Sequence, residues 1–356
     1  MKKMYLAMER ELMVASQKNG SWEVSHHLQG MQPMCLARDP FSPERVYCGT
    51  FARGMWRSID AGSSWHPVGD PSHSRRPRSL GSIAHPNIMS IAVSSTEYSN
   101  GYGVVYAGTE PSALFRSEDG GDTWRELKTL KELPSAPTWS YPPRPYTSHV
   151  RCIVSDPIAE GRLYVAIEAG ALVRSFDGGE NWEDRKLSAP IDSHTLAIHS
   201  LAPGRIYAAA GDGFLEAGSG YAESRDGGES WSRPDEGLHH HYLWGAAIDP
   251  VDPNTILVSA AASAERAHNP NIAEPRIYRK EGDEPWLEVN KGLPEPEGTI
   301  APVLASNAAE PHVFYALTNK GLYHSSDAGP SWQKLELPWH EHYLGQHQQA
   351  LLVVEE

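Results

Sequence analysis

Short apolar runs separated by turn-forming residues recur throughout this chain of 356 residues. The runs are rich in β-branched and aromatic side chains, a composition that predicts β-strands. Six of them share one character and lie at residues 45–49, 104–108, 162–166, 205–209, 255–259 and 313–317. No apolar run reaches the length that spans a membrane. The pattern therefore predicts an all-β protein of many short strands.

Seven tryptophans mark a longer period in the same pattern. They stand 43 to 59 residues apart, at Trp22, Trp65, Trp124, Trp182, Trp231, Trp286 and Trp332. Repeats of this length are typical of propeller blades, each a sheet of four strands. The sequence thus predicts a seven-bladed β-propeller of four-stranded blades.

Five of the tryptophans close the motif Ser-x-Asp-x-Gly-x-x-Trp, which we call the repeat turn. The five copies are Ser58–Trp65, Ser117–Trp124, Ser175–Trp182, Ser224–Trp231 and Ser325–Trp332, and degenerate copies precede Trp22 and Trp286. Serine and aspartate side chains hydrogen-bond to backbone amides in such turns, and glycine accepts a positive φ. We expect each indole to pack between blades and bury a large apolar area.

The repeat turn resembles the Asp-box, or BNR repeat, of the sialidase-like propeller superfamily. That superfamily includes WD40/YVTN/BNR-like repeat proteins, xyloglucanases and photosystem II assembly factors. The resemblance covers nearly the whole chain and implies that the aspartates are structural and lie away from the functional face. True sialidases have six blades and an Arg-Ile-Pro motif, and this chain matches neither.

The two ends of the chain predict how the propeller closes. The first repeat begins with residues that match a second strand, 5–8, and so lacks an inner strand. The tail at 350–354 has inner-strand character and no second strand after it. We expect the C-terminal strand to pair into the N-terminal blade, which leaves no open sheet edge. This predicts one closed domain over residues 1–356.

Charge and cysteine content narrow the class of protein. A net charge of −14 argues against broad binding to nucleic acid phosphates. Lysines and acidic residues interrupt the start of the chain before a signal-peptide core can form. The three cysteines, Cys35, Cys48 and Cys152, are odd in number and lie in apolar strands, which suggests buried thiols. We expect a cytoplasmic monomer or small oligomer that contacts neither nucleic acid nor membrane.

Most of the 17 histidines fall just before inner strands, where loops would surround the mouth of the central channel. A divalent transition metal is the candidate cofactor there, because imidazole suits such ions. The candidate ligands are His149, His194, His241 and His347. No metal-binding spacing accompanies them, and loop histidines that are solvated or hydrogen-bonded at blade junctions are the alternative.

Carboxylates in the loops after the second strands raise the hypothesis of glycoside hydrolysis, which needs two such groups beside the sugar. Glu110, Glu168 and Asp212 occupy equivalent positions in neighbouring repeats and are the catalytic candidates. Turn-capping or solvated carboxylates are the alternative interpretation.

A third interpretation is a rigid, non-catalytic disc that binds a small molecule, a glycan or a polypeptide. The proline-rich segment 128–148, which we call the arm, suits an ordered element over the binding face. Candidate ligand-binding residues are Arg53, Trp139, Tyr146, Arg151, Trp244 and Trp339. Arg75, Arg76 and Arg78 are candidates for contact with an anionic partner. We favour binding, with a glycosidase-like or metal-dependent hydrolase or lyase as the alternative.

Overall fold

The apolar runs form the central strands of seven antiparallel sheets. A computed structural model describes residues 2–69 and 82–355, and Arg75, Arg76 and Arg78 lie outside these residues. The sheets follow one another along the chain as the blades of a seven-bladed β-propeller, so the predicted fold class is confirmed.

The strands of the first three blades are, in chain order, β1 (Lys2–Met8), β2 (Glu11–Lys18), β3 (Ser21–His27), β4 (Pro33–Arg38), β5 (Val46–Thr50), β6 (Met55–Ser58), β7 (His66–Val68), β8 (Asn87–Ser99), β9 (Tyr102–Glu110), β10 (Leu114–Ser117) and β11 (Arg125–Glu126). The next two blades contain β12 (Val150–Ser155), β13 (Leu163–Ile167), β14 (Ala171–Ser175), β15 (Ser193–Ile198), β16 (Ile206–Ala210) and β17 (Tyr221–Ser224). The remaining strands are β18 (Tyr242–Asp249), β19 (Asp252–Ala261), β20 (Arg276–Glu281), β21 (Leu287–Glu288), β22 (Val303–Ser306), β23 (Phe314–Thr318), β24 (Gly321–Ser325), β25 (Gln333–Lys334) and β26 (Gln348–Glu355).

The second strand of a blade lies in its interior, with a continuous apolar sequence instead of an alternating one. Every residue of β5, β13, β16 and β23 is buried. A strand buried on both faces requires such a sequence, because neither set of side chains meets water.

Two blades depart from the predicted four strands. The outermost strand of the fourth blade is reduced to a single bridge between Arg174 and Glu183, and that of the fifth to one between Glu223 and Ser232. In the fourth blade the chain leaves the sheet early, because Asp184 accepts hydrogen bonds from the amide and hydroxyl of Ser135 in the arm.

The C-terminal strand closes the first blade as predicted. The strand order is β26-β1-β2-β3, and β26 pairs with β1 in antiparallel register, with Tyr5 opposite Leu352 and Leu6 opposite Leu351. The side-chain Nε2 of Gln348 donates to the carbonyls of Ile300 and Ala301 in the seventh repeat. This pairing removes the open edge that β1 would otherwise present.

The repeat turns have one hydrogen-bond pattern. In the copy at 58–65, Ser58 Oγ donates to Asp60 Oδ1 at 2.7 Å and accepts from the amide of Gly62 at 2.8 Å. Asp60 Oδ1 accepts from the amide of Ser64 at 2.8 Å. These bonds recur in the other four copies, so both side chains hold the turn. The indoles pack between blades, as Trp286 does edge-on to Tyr221 at 4.9 Å.

By its contacts the chain divides into two compact units, Met1–His26 with His194–Glu356, and His27–Ser193. The single domain over residues 1–356 stays a prediction. The helical segments of the described residues are short turns and one α-helix, α1 (Ala264–His268). Within residues 2–69 and 82–355, none of them is long and apolar enough to cross a bilayer.

Candidate functional site

The arm is folded in unit His27–Ser193, although its sequence has the proline content of a loop. It contains 3₁₀ turns at Lys128–Glu132 and Ala136–Thr138. Leu130 and Leu133 are buried and join the hydrophobic core between the third and fourth blades. The arm therefore presents a fixed surface instead of a mobile one.

Trp139 anchors the arm and is not exposed. The residue is only 9% exposed, and its Nε1 donates to Ser135 Oγ at 3.0 Å. Gly170 allows the indole to approach, since a Cβ there would lie 3.1 Å from Trp139 Cδ1. The indole is thus part of the core, and its burial lends no support to the ligand-binding role that we predicted.

Beyond Trp139 the arm turns back on itself at its tip. The amide of Tyr141 donates to the carbonyl of Thr147, and the amide of Arg144 donates to the carbonyl of Tyr141, both at 2.8 Å. Tyr146 projects from this tip with 84% of its surface exposed. An exposed tyrosine on an ordered turn can bind a partner with little loss of conformational entropy.

Next to the tip lies a set of ionisable residues that we call the Glu-His-Glu cluster: Glu110, His149 and Glu168, with Arg144 and Arg151. Glu110 ends β9, His149 precedes β12, and Glu168 follows β13. The register places Val150 opposite Ile167, and the amide of Glu168 donates to the carbonyl of His149. The equivalent positions that we predicted for Glu110 and Glu168 therefore bring both carboxylates to one histidine.

His149 lies between the two carboxylates. Its Nε2 is 2.7 Å from Glu168 Oε2, while its Nδ1 is 3.6 Å from Glu110 Oε2. The ring is 2% exposed, and Nδ1 is buried without a hydrogen bond. Tyr141 meets the ring edge-on at 4.8 Å between centroids.

The arm supplies the cation that pairs with Glu110. Arg144 Nε donates to Oε1 at 3.0 Å and Nη2 donates to Oε2 at 2.6 Å, which is a bidentate pair. The hydrogen bonds to Glu110 raise the pKa of Arg144. The guanidinium also lies over the rings of Tyr141 and Phe51, at 4.9 and 5.6 Å. The pair therefore fixes the tip of the arm to the third blade.

Arg151 and Tyr141 complete the electrostatics of the cluster. Arg151 Nε lies 3.6 Å from Glu168 Oε2. Burial, together with the charge of Glu168, raises the pKa of Tyr141, so the phenol stays protonated at neutral pH. Two arginines, two carboxylates and an imidazole can hold a polar ligand, and the imidazole can relay a proton between carboxylates.

The other unit holds a separate group of aromatic and imidazole rings. His194 Nδ1 lies 2.6 Å from the carbonyl of Leu243, and the ring contacts Tyr242 and Trp244 at 5.0 and 4.9 Å. His268, which we did not predict, lies 4.3 Å from Trp244. These contacts hold Trp244 beside imidazoles.

The predicted metal ligands of this unit do not come together. His241 Nδ1 accepts from the amide of Gly218. Burial lowers the pKa of His347, whose backbone amide donates to Glu9. Within the described residues, His194, His241 and His347 do not place three ligand atoms within 4.8 Å of one another.

The remaining predicted residues have local roles in the structure. Asp212 lies in the 3₁₀ turn Gly211–Phe214, and its carbonyl accepts from the amides of Leu215 and Glu216. Trp339 Nε1 donates to the carbonyl of Asn319 at 2.9 Å, and Arg53 is exposed. Sequence reasoning missed the pairing of Arg144 with Glu110, for which the only signal was a basic residue within the proline-rich arm.

Comparisons with known proteins agree on the fold. No protein-family model and no curated protein matches the chain. Among solved structures, an ancestral GH74 enzyme is 16% identical over 85% of this chain, with a TM-score of 0.63, and this chain spans 38% of that one. YCF48 bound to a D1 peptide is 18% identical over 85% of this chain and 82% of its own, with a TM-score of 0.56.

A second YCF48, from Cyanidioschyzon merolae, is 12% identical over 86% of this chain and 85% of its own, with a TM-score of 0.56. At such identities the likeness shows the fold alone. The chain has the fold of propellers of the sialidase, YVTN and BNR type, which confirms the predicted resemblance.

Proposed function

We propose that the chain is a binding propeller whose arm and Glu-His-Glu cluster recognise a polypeptide. The observation that carries the proposal is the bidentate pair between Arg144 and Glu110, which fixes the arm with Tyr146 exposed at its tip. A surface that is ordered before the ligand arrives avoids much of the entropic cost of binding. The structure of YCF48 with a D1 peptide supports a peptide ligand for a propeller of this fold.

The ion pairs also favour binding over glycoside hydrolysis. A glycosidase needs one carboxyl group to donate a proton and a second to act as nucleophile or base, both facing the sugar. Here Arg144 engages both oxygens of Glu110, while Glu168 faces His149 and Arg151. Carboxylates that are paired in this way orient the arginine and histidine side chains around them.

To test this function, peptides are selected from a random library and their binding is measured by isothermal titration calorimetry. We expect Tyr146→Ala to weaken the affinity for the selected peptide at least tenfold, which corresponds to about 1.4 kcal/mol. Arg144→Ala should weaken this binding as well, because the tip of the arm loses its attachment to the third blade. Tyr98→Ala is the matched control, since Tyr98 lies in the same unit and is 63% exposed on β8, outside the arm.

Failure to select any peptide, or equal affinity of the wild type and Tyr146→Ala, contradicts the proposal. A glycan or small molecule that binds with the same dependence on Tyr146 would assign the site to that ligand instead.

The second candidate is a hydrolase or lyase, in keeping with the likeness to a GH74 enzyme. The observation that favours it is the buried, unbonded Nδ1 of His149, 3.6 Å from Glu110. An imidazole between carboxylates has the groups that general acid–base catalysis uses. Turnover of a glycoside panel that is lost in His149→Asn, with the fold intact, would establish this alternative.

The cytoplasmic location and the transition-metal cofactor remain proposals. Cys35, Cys48 and Cys152 are not joined in disulfides within the described residues, which supports a reducing compartment. Elemental analysis of wild type and His149→Asn would show whether His149 belongs to a metal site.

A further inference from the structure

The buried carboxylate of Glu11 lies among imidazoles in the first blade. Glu11 begins β2, His26 is in β3, and His342 and Tyr343 lie in the 3₁₀ turn Glu341–Tyr343 before β26. We call these four residues the Glu11 cluster. All four belong to unit Met1–His26 with His194–Glu356, so the cluster is separate from the binding site proposed above.

Each oxygen of Glu11 faces one imidazole. Glu11 Oε2 is 3.1 Å from His26 Nδ1, and Glu11 Oε1 is 3.7 Å from His342 Nε2. The side chain of Glu11 is 9% exposed, whereas those of His26 and His342 are 30% and 53% exposed. A fixed carboxylate thus stands between two histidines that solvent and solutes can reach.

We propose that Glu11, His26 and His342 bind a divalent transition-metal ion such as Zn²⁺. Metal–nitrogen and metal–oxygen bonds of about 2.0–2.1 Å place neighbouring ligand atoms of a tetrahedral ion about 3.3 Å apart. In the cluster each nitrogen lies near a different oxygen of Glu11, His26 Nδ1 at 3.1 Å from Oε2 and His342 Nε2 at 3.7 Å from Oε1, so an ion held by all three residues requires the rings to move. Two imidazoles and a carboxylate suit ions of intermediate softness.

Binding requires a movement of the histidine side chains. The ligand atoms of the three residues do not all lie within 4.8 Å of one another, so the imidazoles must turn toward a shared ion. The ring of His342 can turn, because its side chain is 53% exposed and lies in the connection before β26.

Tyr343 positions the carboxylate. It is fully buried, and its hydroxyl donates to Glu11 Oε1. Burial and the bond to Glu11 raise the pKa of Tyr343, which keeps the phenol a donor. Hydrogen bonds of this kind orient metal ligands in proteins. The ion would join β2, β3 and the segment that leads into the closing strand, so binding also stabilises the fold by mass action.

Calorimetric titration of the tag-free, metal-free full chain with ZnCl₂ tests the proposal. We expect one Zn²⁺ per chain and an increase in Tm with Zn²⁺. His26→Ala and His342→Ala should each weaken the Kd at least tenfold and abolish the increase in Tm. His239→Ala is the control, since His239 is likewise exposed and lies in the same unit; its Kd should stay within twofold of the wild type.

The proposal would be overturned if the chain showed no saturable binding of Zn²⁺. It would also be overturned if the His26→Ala/His342→Ala double variant kept the Zn²⁺ affinity of the wild type, because this result would identify adventitious binding to surface histidines. Metal-free variants are compared by their Tm before titration. Should either be unfolded, His26→Asn and His342→Asn replace them, with the same loss of affinity expected.

Discussion

Two successive residues of each repeat turn have left-handed backbone geometry. The motif glycine has φ between 88° and 109° in all five copies, and the residue before it also has a positive φ. That preceding residue is glycine at three positions but alanine at Ala61, φ 53°, and Ala328, φ 62°. Left-handed geometry costs an L-residue about 1 kcal/mol, and glycine is free of this cost.

We expect Ala61→Gly and Ala328→Gly each to raise the free energy of unfolding by up to about 1 kcal/mol, because the strain disappears. The reverse change at an equivalent position, Gly120→Ala, should lower it, since a Cβ at Gly120 would lie 2.4 Å from Arg45 Nη1. Urea unfolding followed by tryptophan fluorescence measures both. A loss of stability in Ala61→Gly would mean that the turn does not strain its alanine.

The aspartates of the repeat turns make stability depend on pH. Hydrogen bonds from the side chain and amide of Ser230 lower the pKa of Asp226 to about 2. Partial burial acts to raise the pKa of Asp60, but bonds from Ser64 and Ser58 outweigh it and lower it to about 2. An unfolded aspartate has a pKa of about 3.9. The stabilisation is thus present above that value and is lost as the pH falls through about 2.

Asp226→Asn should therefore show a smaller decrease in stability between pH 4 and pH 2 than the wild type does. Urea midpoints measured across this range test the expectation, with Asp235→Asn as a control outside the repeat turns. Parallel pH profiles for wild type and Asp226→Asn would contradict it.

Arginines at the ends of third strands connect neighbouring blades. Arg116 of β10 donates through Nη1 to the carbonyl of Gly178, in the next repeat turn, at 3.2 Å. Arg279 of β20 likewise donates to the carbonyl of Ala328 at 2.7 Å. A side chain at Gly178 would collide with the guanidinium, since its Cβ would lie 2.1 Å from Arg116 Nη1. The repeat turn therefore caps its own blade and also accepts a bond from the preceding one.

Arg116→Ala should lower the free energy of unfolding by about 2–3 kcal/mol. Its Nη1 also contacts Glu97 Oε1 at 3.1 Å and Tyr106 Oη at 3.0 Å, so the variant leaves a buried carboxylate without its cation. Chemical denaturation measures the loss.

The matched control is Arg125→Ala, whose pair with Glu180 is half exposed on both sides. We expect it to change stability by less than about 0.5 kcal/mol. Equal effects of the two substitutions would show that the link between blades is not stabilising.

The turns after the inner strands connect blades in a second way. Asp39 is fully buried; its Oδ1 accepts from the amide of Phe41 at 2.9 Å and from that of Gly103, in the next blade, at 3.2 Å. In the other unit, Asp249 accepts from Val251 and faces His312 Nδ1 at 2.8 Å. The Asp-Pro sequences at 39–40 and 249–250 favour a turn at the end of the inner strand, but the bond to the next blade depends on tertiary packing.

The strands and blades were predictable from the sequence because two patterns coincide. Apolar runs of strand length mark the strands, and a tryptophan in every repeat marks the blades. The loss of the fourth strand in the fourth blade was not predictable, because Asp184 leaves the sheet for a contact with Ser135, 49 residues earlier in the chain. In the site, the approach of Glu110 and Glu168 followed from equivalent positions in neighbouring repeats. The burial of Trp139 and the partner of Arg144 depend on the path of the arm, which no periodic pattern encodes.

We expect closure of the first blade by β26 to contribute strongly to the stability of the molecule. The β1 residues Met4, Leu6 and Met8 are fully buried, and β1 pairs with β26 along its length. Removal of residues 348–356 should therefore abolish cooperative thermal unfolding and cause aggregation, because β1 becomes an apolar edge.

A synthetic peptide of residues 348–355, added to the shortened chain, should restore the transition, since an extended peptide can complete an open sheet. The same peptide with Leu351→Pro, which disturbs the ladder opposite Leu6, should not. A shortened chain that unfolds like the wild type would show that closure contributes little.

The order in which the strands are synthesised makes the pairing of β26 with β1 a late step in folding. Strand β1 is translated earlier, and about 340 residues separate the two in the chain. Each later blade can pair its strands as soon as it emerges, but the first blade waits with three strands until β26 has been made. Joining segments so distant carries a large loop entropy and slows the step. Completion of the first blade is thereby coupled to the synthesis of β26, and a chain terminated before β26 would expose β1 to the chaperones and proteases that act on unpaired strands.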